Sequence, residues 1–357
     1  MNFEKISSYM KYRMNEDLAP ETLSNDIKAL IELSRIINKP FKELTPDDIY
    51  AFLSCLSSKS KGTVGLYKLK IKAFFKFIGR GDIAQLCVVK QSMRDRKLPD
   101  ELLTPEDIEL LIKSTNNLRD KAYIAVLYES GARVCELEEL QLKHVFFDDN
   151  GAVITLPKGK TGARRIRVVY AAGYLRNWVE IHPSTEDRGS WLWTSSRDGK
   201  VHVDYKTLWG VLRRAGKHSG IKKKVNPHSF RHARATHLAK DLTEQQLKAY
   251  LGWTASSNMA GIYVHLSGKD LDKTILKING LATEDEPEDK VLKTIRCPRC
   301  RKIQDQKAAF CFKCGLPLTK KSSENIETEQ TAISELVLQL QKADPAILNA
   351  LINAVKK

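Results

Sequence analysis

The chain has 357 residues, with 59 Lys and Arg against 43 Asp and Glu, for a formal net charge of +16. At roughly 100–200 residues per domain this is enough for two or three domains, and 42% hydrophobic with 29% charged residues excludes a wholly disordered chain. No run reaches the roughly 18–20 apolar residues of a membrane span, and the first twenty residues lack an apolar signal core, so an intracellular protein with no membrane partner is expected. The basic excess lies almost entirely before residue 281. A basic surface attracts polyanions, and nucleic acid is the commonest one inside cells.

Residues 1–90 read as helical. FEKISSYMKYRM, ETLSNDIKALIELSRIIN, TPDDIYAFLSCLSS and KGTVGLYKLKIKAFFKFIG each repeat apolar residues at three- and four-residue spacing. Thr45 followed by Asp48 predicts a capping box at the start of the third helix. Residues 91–102 are polar and basic and contain a proline, as a linker would be. A new helix is predicted after Thr104, with Pro105 in its first position and Glu106 and Asp107 in its first turn. RDKAYIAVLYESGARVCELEELQLKHV then reads as two helices broken near Ser130-Gly131. AVITL and RIRVVY flank a Gly- and Lys-bearing turn and predict a β-hairpin. Helical patterns resume through YLRNWVEI, TLWGVLRRAGKHSG and RHARATHLAK. An acidic stretch, TEDEPEDK, follows, and the final run reads as two short amphipathic helices broken near Pro345.

An odd total of seven cysteines argues against a disulfide framework. Cys55, Cys87 and Cys135 are expected as small buried hydrophobes. Cys297-x2-Cys300, ten residues, then Cys311-x2-Cys314 is a spacing that supplies four thiolates to one tetrahedral ion. Structural Zn²⁺ in a short ribbon is the leading reading; a redox dithiol pair and a rubredoxin-type iron centre use similar residues. Four protein ligands leave no open position, so such a centre folds a small module and does not catalyse.

Residues 130–265 gather a second set of signals. Arg133 follows a helix break, with Glu136 three residues on. Lys158 and Lys160 sit in the hairpin turn. His228 and Arg231 are three apart, placed on one helical face. Trp253 and then Tyr263 follow. In this order the phrases GARVCELEEL, KGKTGARRIRV, HSFRHARATHLA, LGW and YVHL resemble the Arg, Lys, His-x-x-Arg, His/Trp and Tyr boxes of the tyrosine recombinase (phage integrase) family. The trailing cysteine ribbon is most similar to archaeal members. The resemblance covers about residues 103–278 and extends to a helical core-binding domain at 1–90.

The resemblance implies a fold that is mainly α with a small β-sheet. It would comprise a helical DNA-binding domain (1–90), a linker (91–102), a catalytic domain (103–280), an acidic linker (281–294), a zinc ribbon (295–320) and C-terminal helices (321–357). It also implies the chemistry. Tyr263 would attack a DNA phosphodiester and leave a 3′-phosphotyrosyl end and a free 5′-hydroxyl, so that strands rejoin without ATP or catalytic metal. Arg133 and Arg231 would clamp the non-bridging oxygens. A hairpin lysine would protonate the leaving oxygen, and His228 would assist proton transfer at the nucleophile. Counting back from the second strand favours Lys160 for that lysine, whereas counting forward from Arg133 favours Lys158. Trp253, where many members have histidine, can donate a hydrogen bond to phosphate but cannot shuttle protons. Glu136 would orient Arg133 or the histidine box. Tyr250 is the competing nucleophile, but its place before LGW reads as core. The partners implied are double-stranded DNA and three further copies of the chain, in a nucleoid-associated cytoplasmic setting. The alternatives are a DNA-binding protein that has lost cleavage and a type IB topoisomerase.

Overall fold

The computed structural model describes residues 2–16, 18–89, 102–157, 159, 162–195, 198–266, 279, 294–305, 308–311 and 313–342. Contacts divide the chain into two units, Met1–Asp95 and Arg96–Lys357.

The first unit contains α1 (Asn2–Met14), α2 (Pro20–Ile37), α3 (Pro46–Cys55), α4 (Lys61–Phe77) and the single turn α5 (Gly81–Ala84). Thr45 and Asp48 form the reciprocal capping box at the start of α3, and Ser60 caps α4. The apolar stripes of these helices meet around Tyr9, Phe41, Phe52, Phe74 and Phe75, all essentially inaccessible to solvent. Asp26 is the buried carboxylate of this core, held by Arg13 at 3.1 Å and Lys70 at 2.6 Å.

The second unit is built around α7 (Leu118–Ser130), which is buried on nearly every side. Before it lies α6 (Pro105–Lys113), opened by the Thr104–Asp107 capping box with Pro105 in its first turn. Gly131 ends α7 in the left-handed conformation, φ +56, and the short α8 (Val134–Glu138) starts after Arg133. The antiparallel sheet β1 (Val145–Asp148), β2 (Gly151–Leu156) and β3 (Arg164–Val168) follows, with Ile154 opposite Val145 and Ile166. The strand β1 was not expected from the sequence. Its four residues are too few for alternation to stand out, and pairing with β2 creates it. Next come α9 (Ala171–Glu180), α10 (Tyr205–Ser219), α11 (Pro227–Leu238), α12 (Glu244–Leu251) and α13 (Met259–Leu266).

The ribbon is a two-stranded sheet, β4 (Thr294–Arg296) and β5 (Ile303–Asp305), followed by α14 (Lys320–Lys342). It rests against the β1–β2 turn. Lys302 pairs with Asp149, and Arg296 Nη2 donates to Asn150 Oδ1 at 2.8 Å. The helix α14 is continuous to Lys342; the expected break near Pro345 lies outside the described residues. So do the acidic stretch and most of the 91–102 segment. Two cysteines differ from expectation. Cys55 and Cys135 are exposed and Cys87 alone of that trio is buried. Cys55 is the last residue of its helix and Cys135 lies in a helix of five residues, so neither is enclosed by neighbouring turns. No helix among the described residues is long and apolar enough to cross a membrane.

Candidate active site and metal centre

Three consecutive carbonyls at the C-terminal end of α12 organise the site. Arg164 Nε donates to the carbonyl of Tyr250 at 3.2 Å. Arg231 Nη2 donates to that of Leu251 at 2.7 Å, and both Arg133 Nη atoms lie 3.4 Å from that of Gly252. The last carbonyls of a helix have no partner within it and carry the negative end of its dipole, so they attract cations. Arg231 is further fixed by Nη1 on the carbonyl of Gly131 at 2.7 Å.

Glu136 binds two of these arginines from below. Its Oε1 accepts from Arg133 Nη1 at 2.9 Å, and its two oxygens accept from Arg164 Nη1 and Nη2 at 2.8 Å each. Its Oε2 also accepts from the Arg133 backbone N–H at 2.8 Å. The carboxylate is 2% exposed. Burial opposes its ionisation, yet the Arg164 fork and the Arg133 bonds hold its pKa below the usual range. The pKa of Arg231, 8% exposed, is lowered too, but for a guanidinium this disfavours the charged form. Burial first and the neighbouring charge of Arg133 second lower it to about 10. Two cations held this close, one of them buried, form a place suited to an anion.

Arg231 also lies over the Trp253 ring, 5.4 Å from its centroid. Trp253 stacks on Tyr263 at 5.4 Å with an interplanar angle of 9°. The Tyr263 hydroxyl meets His232 Nδ1 at 2.5 Å, and the tyrosine is only 3% exposed. The structure therefore brings Arg133, Glu136, Arg231, Trp253 and Tyr263 together. His228 stands in the first turn of α11 with its side chain exposed, while Arg231, one turn on, points inward. Lys158 and Lys160 lie outside the described residues; between them, Gly159 abuts Glu136 and Arg164, since an added Cβ would sit 3.1 Å from Oε1 and 3.3 Å from Nη1. Tyr250 donates its hydroxyl to the carbonyl of Glu129 at 2.9 Å, and burial pushes its pKa up to about 12.

Sequence reasoning missed two residues, His232 and Arg164. His232 was hidden inside the His-x-x-Arg phrase. Arg164 left a faint signal: it shares a strand face with buried Ile166 and Val168, and a charge on a buried face requires a partner.

The four cysteines converge, with all sulfurs within 4.8 Å of one another. Cys297 and Cys314 are 3.6 Å apart, Cys300 and Cys311 3.5 Å. A tetrahedron of sulfurs at about 2.3 Å from a zinc ion has edges of about 3.8 Å. Cys297 and Cys311 are buried, and the backbone N–H groups of Arg301 and Gly315 bond back to their carbonyls at 2.9 Å each. Arg301 and Gly315 both take positive φ there, +61 and +68. The donor set and the spacing fit a divalent ion held by four thiolates.

Residues 101–269 match the model of the phage integrase family. The chain is 28% identical to tyrosine recombinase XerA of Pyrococcus furiosus, over 69% of this chain and 85% of that protein. It is 25% identical to a tyrosine recombinase of Thermosipho africanus, over 77% and 98%. The fold is shared with a lambda integrase dimer bound to a COC′ core site, with TM-score 0.60 and 18% identity over 75% of this chain and 78% of that one. Residues 101–269 are thus similar to the phage integrase family, and about two thirds of the chain to proteins named tyrosine recombinases.

Proposed function

We propose that this protein is a site-specific recombinase that cuts and rejoins duplex DNA through a 3′-phosphotyrosyl intermediate on Tyr263. The observation that carries the reading is the contiguous stack of Arg231, Trp253 and Tyr263, with the charge of Arg133 next to that of Arg231. In the step, Tyr263 Oη bonds to phosphorus and the bond from phosphorus to the 5′ oxygen breaks. The phenol's proton passes to its neighbour His232, with His228 assisting the transfer as the resemblance implies, and a hairpin lysine, Lys160 or alternatively Lys158, protonates the departing oxygen. Arg133 and Arg231 take the non-bridging oxygens, and their charge stabilises the pentacoordinate phosphorus. Trp253 donates its indole N–H to the same phosphate. The phosphotyrosine conserves the bond energy, so the reverse attack by a 5′-hydroxyl needs no ATP. Four protomers on two sites would complete strand exchange, and the basic excess would hold the complex on DNA in a nucleoid-associated, cytoplasmic setting.

Cys297, Cys300, Cys311 and Cys314 would hold Zn²⁺ in the ribbon, where the ion supplies folding energy and no catalysis.

The test is a suicide-substrate assay. Nicked duplexes from a randomised pool are incubated with wild type and with Tyr263→Phe, and covalent adducts are scored on denaturing gels. An adduct with the wild type alone supports the reading, and Tyr263→Phe should lower adduct formation by on the order of 10⁴-fold or more. Salt-sensitive binding without any adduct would leave a non-cleaving DNA-binding protein. Relaxation of supercoils without exchange between two sites would indicate a topoisomerase.

A further inference from the structure

The guanidinium of Arg164 is engaged at Nε, Nη1 and Nη2 and its side chain is 10% exposed. A side chain committed in this way acts through its neighbours. Those neighbours are three parts of the site that come from distant stretches of sequence. Glu136 holds Arg133. The carbonyl of Tyr250 is one of the three at the end of α12 whose next two members take Arg231 and Arg133. Gly159 of the lysine turn closes against the Arg164–Glu136 pair. A second glycine also leaves room for the guanidinium. Gly252 has φ +64, and an added Cβ would lie 2.6 Å from Arg164 Nη1.

We propose that Arg164 is a positioning residue for cleavage: it locks Glu136 to the end of α12 and so holds Arg133, Arg231 and Gly159 in one geometry. The inference rests on the recombinase reading given above. Its chemistry follows from the shape of the side chain. A planar fork meets both carboxylate oxygens and leaves Nε for the carbonyl, whereas an ammonium ion is a point charge that cannot span the three acceptors. The structure also explains why the arginine is not one more phosphate clamp: its donors face Glu136 and Tyr250.

The test compares Arg164→Met and Arg164→Lys with the wild-type chain, on the duplex selected in the adduct assay. A positioning role predicts that the Kd for DNA stays within about threefold while the single-turnover rate of adduct formation falls by roughly 10²-fold in both variants. Loss of affinity and rate together, in step with a salt slope reduced by about one, would show direct phosphate contact and overturn the proposal. So would a rate within about threefold of the wild type. A second readout does not depend on activity. The guanidinium NMR resonances of Arg133 and Arg231, assigned through Arg133→Lys and Arg231→Lys, should shift in the folded Arg164→Lys protein. Unmoved resonances would overturn the proposal. If the wild type itself forms no adduct, the recombinase reading fails, while the resonances still decide whether Arg164 places the two arginines.

Discussion

The arginine site and the cysteine ribbon are both clusters of polar groups drawn in from the chain, but they balance their charges in opposite ways. In the first, the cations are matched from within the protein. Glu136 answers Arg133 and Arg164, and the carbonyls of Tyr250, Leu251 and Gly252 take one arginine each. In the second, four sulfurs crowd together with no cationic side chain hydrogen-bonded to them among the described residues. Metal coordination requires these sulfurs as thiolates, and thiolates packed this closely repel one another until a cation is added. The difference separates a cluster whose charges are matched from within the protein from one whose donors fit an added cation.

The comparison can be broken most severely at the ribbon. Chelation, or Cys297→Ser, should unfold residues 294–318, because two three-residue strands are far too little sheet to stand alone. Structural zinc contributes on the order of 10 kcal/mol in such modules. Metal analysis by mass spectrometry and limited proteolysis would read this, with the arginine site expected to stay protected. Loss of both regions together would mean that the two are not independent.

Glu136 is the corresponding weak point of the other cluster. Glu136→Ala leaves Arg164 buried without its counter-charge and should cost about 3–5 kcal/mol. Acid sharpens the result. The folded pKa of Glu136 is depressed, so the stability it adds is present above its unfolded value, near 4.5, and is lost as pH falls through the lower folded value. The gap in Tm between wild type and Glu136→Gln should therefore be constant at neutral pH and shrink only in acid below about 4.5. A gap that closes near neutrality would show that the arginines do not hold the carboxylate down.

Gly252→Ala carries the smallest expected effect. The backbone at φ +64 disfavours a side chain, and the new Cβ would push on the Arg164 guanidinium. Strain of about 1–3 kcal/mol follows, measurable by urea denaturation. Cleavage should fall further than stability alone predicts, because the moved group touches Glu136.

Much of this site is legible in the order of residues. Thr45 with Asp48 and Thr104 with Asp107 act over three residues of one chain, so spacing alone locates those helix starts, and both boxes form. Arg133, Arg231, Trp253 and Tyr263 stand out as an ordered series, and the fold draws them together. Arg164 does not, since its meaning depends on Glu136, 28 residues away, and on Tyr250, 86 away. The same holds for His232, which shares a phrase with His228 yet points elsewhere. One turn of helix separates an exposed histidine from one that meets Tyr263, and only packing of α13 against α11 distinguishes them.

The chain's own order of residues therefore determined what was local: helix starts, the hairpin, the paired cysteines and the residue types of the candidate site, all carried by spacing within a few turns. Tertiary structure decided which of those groups face one another. The three carbonyls of α12 became a cradle for arginines only when β3, α8 and α11 met at its end, because a helix terminus has no fixed partner until another element supplies one.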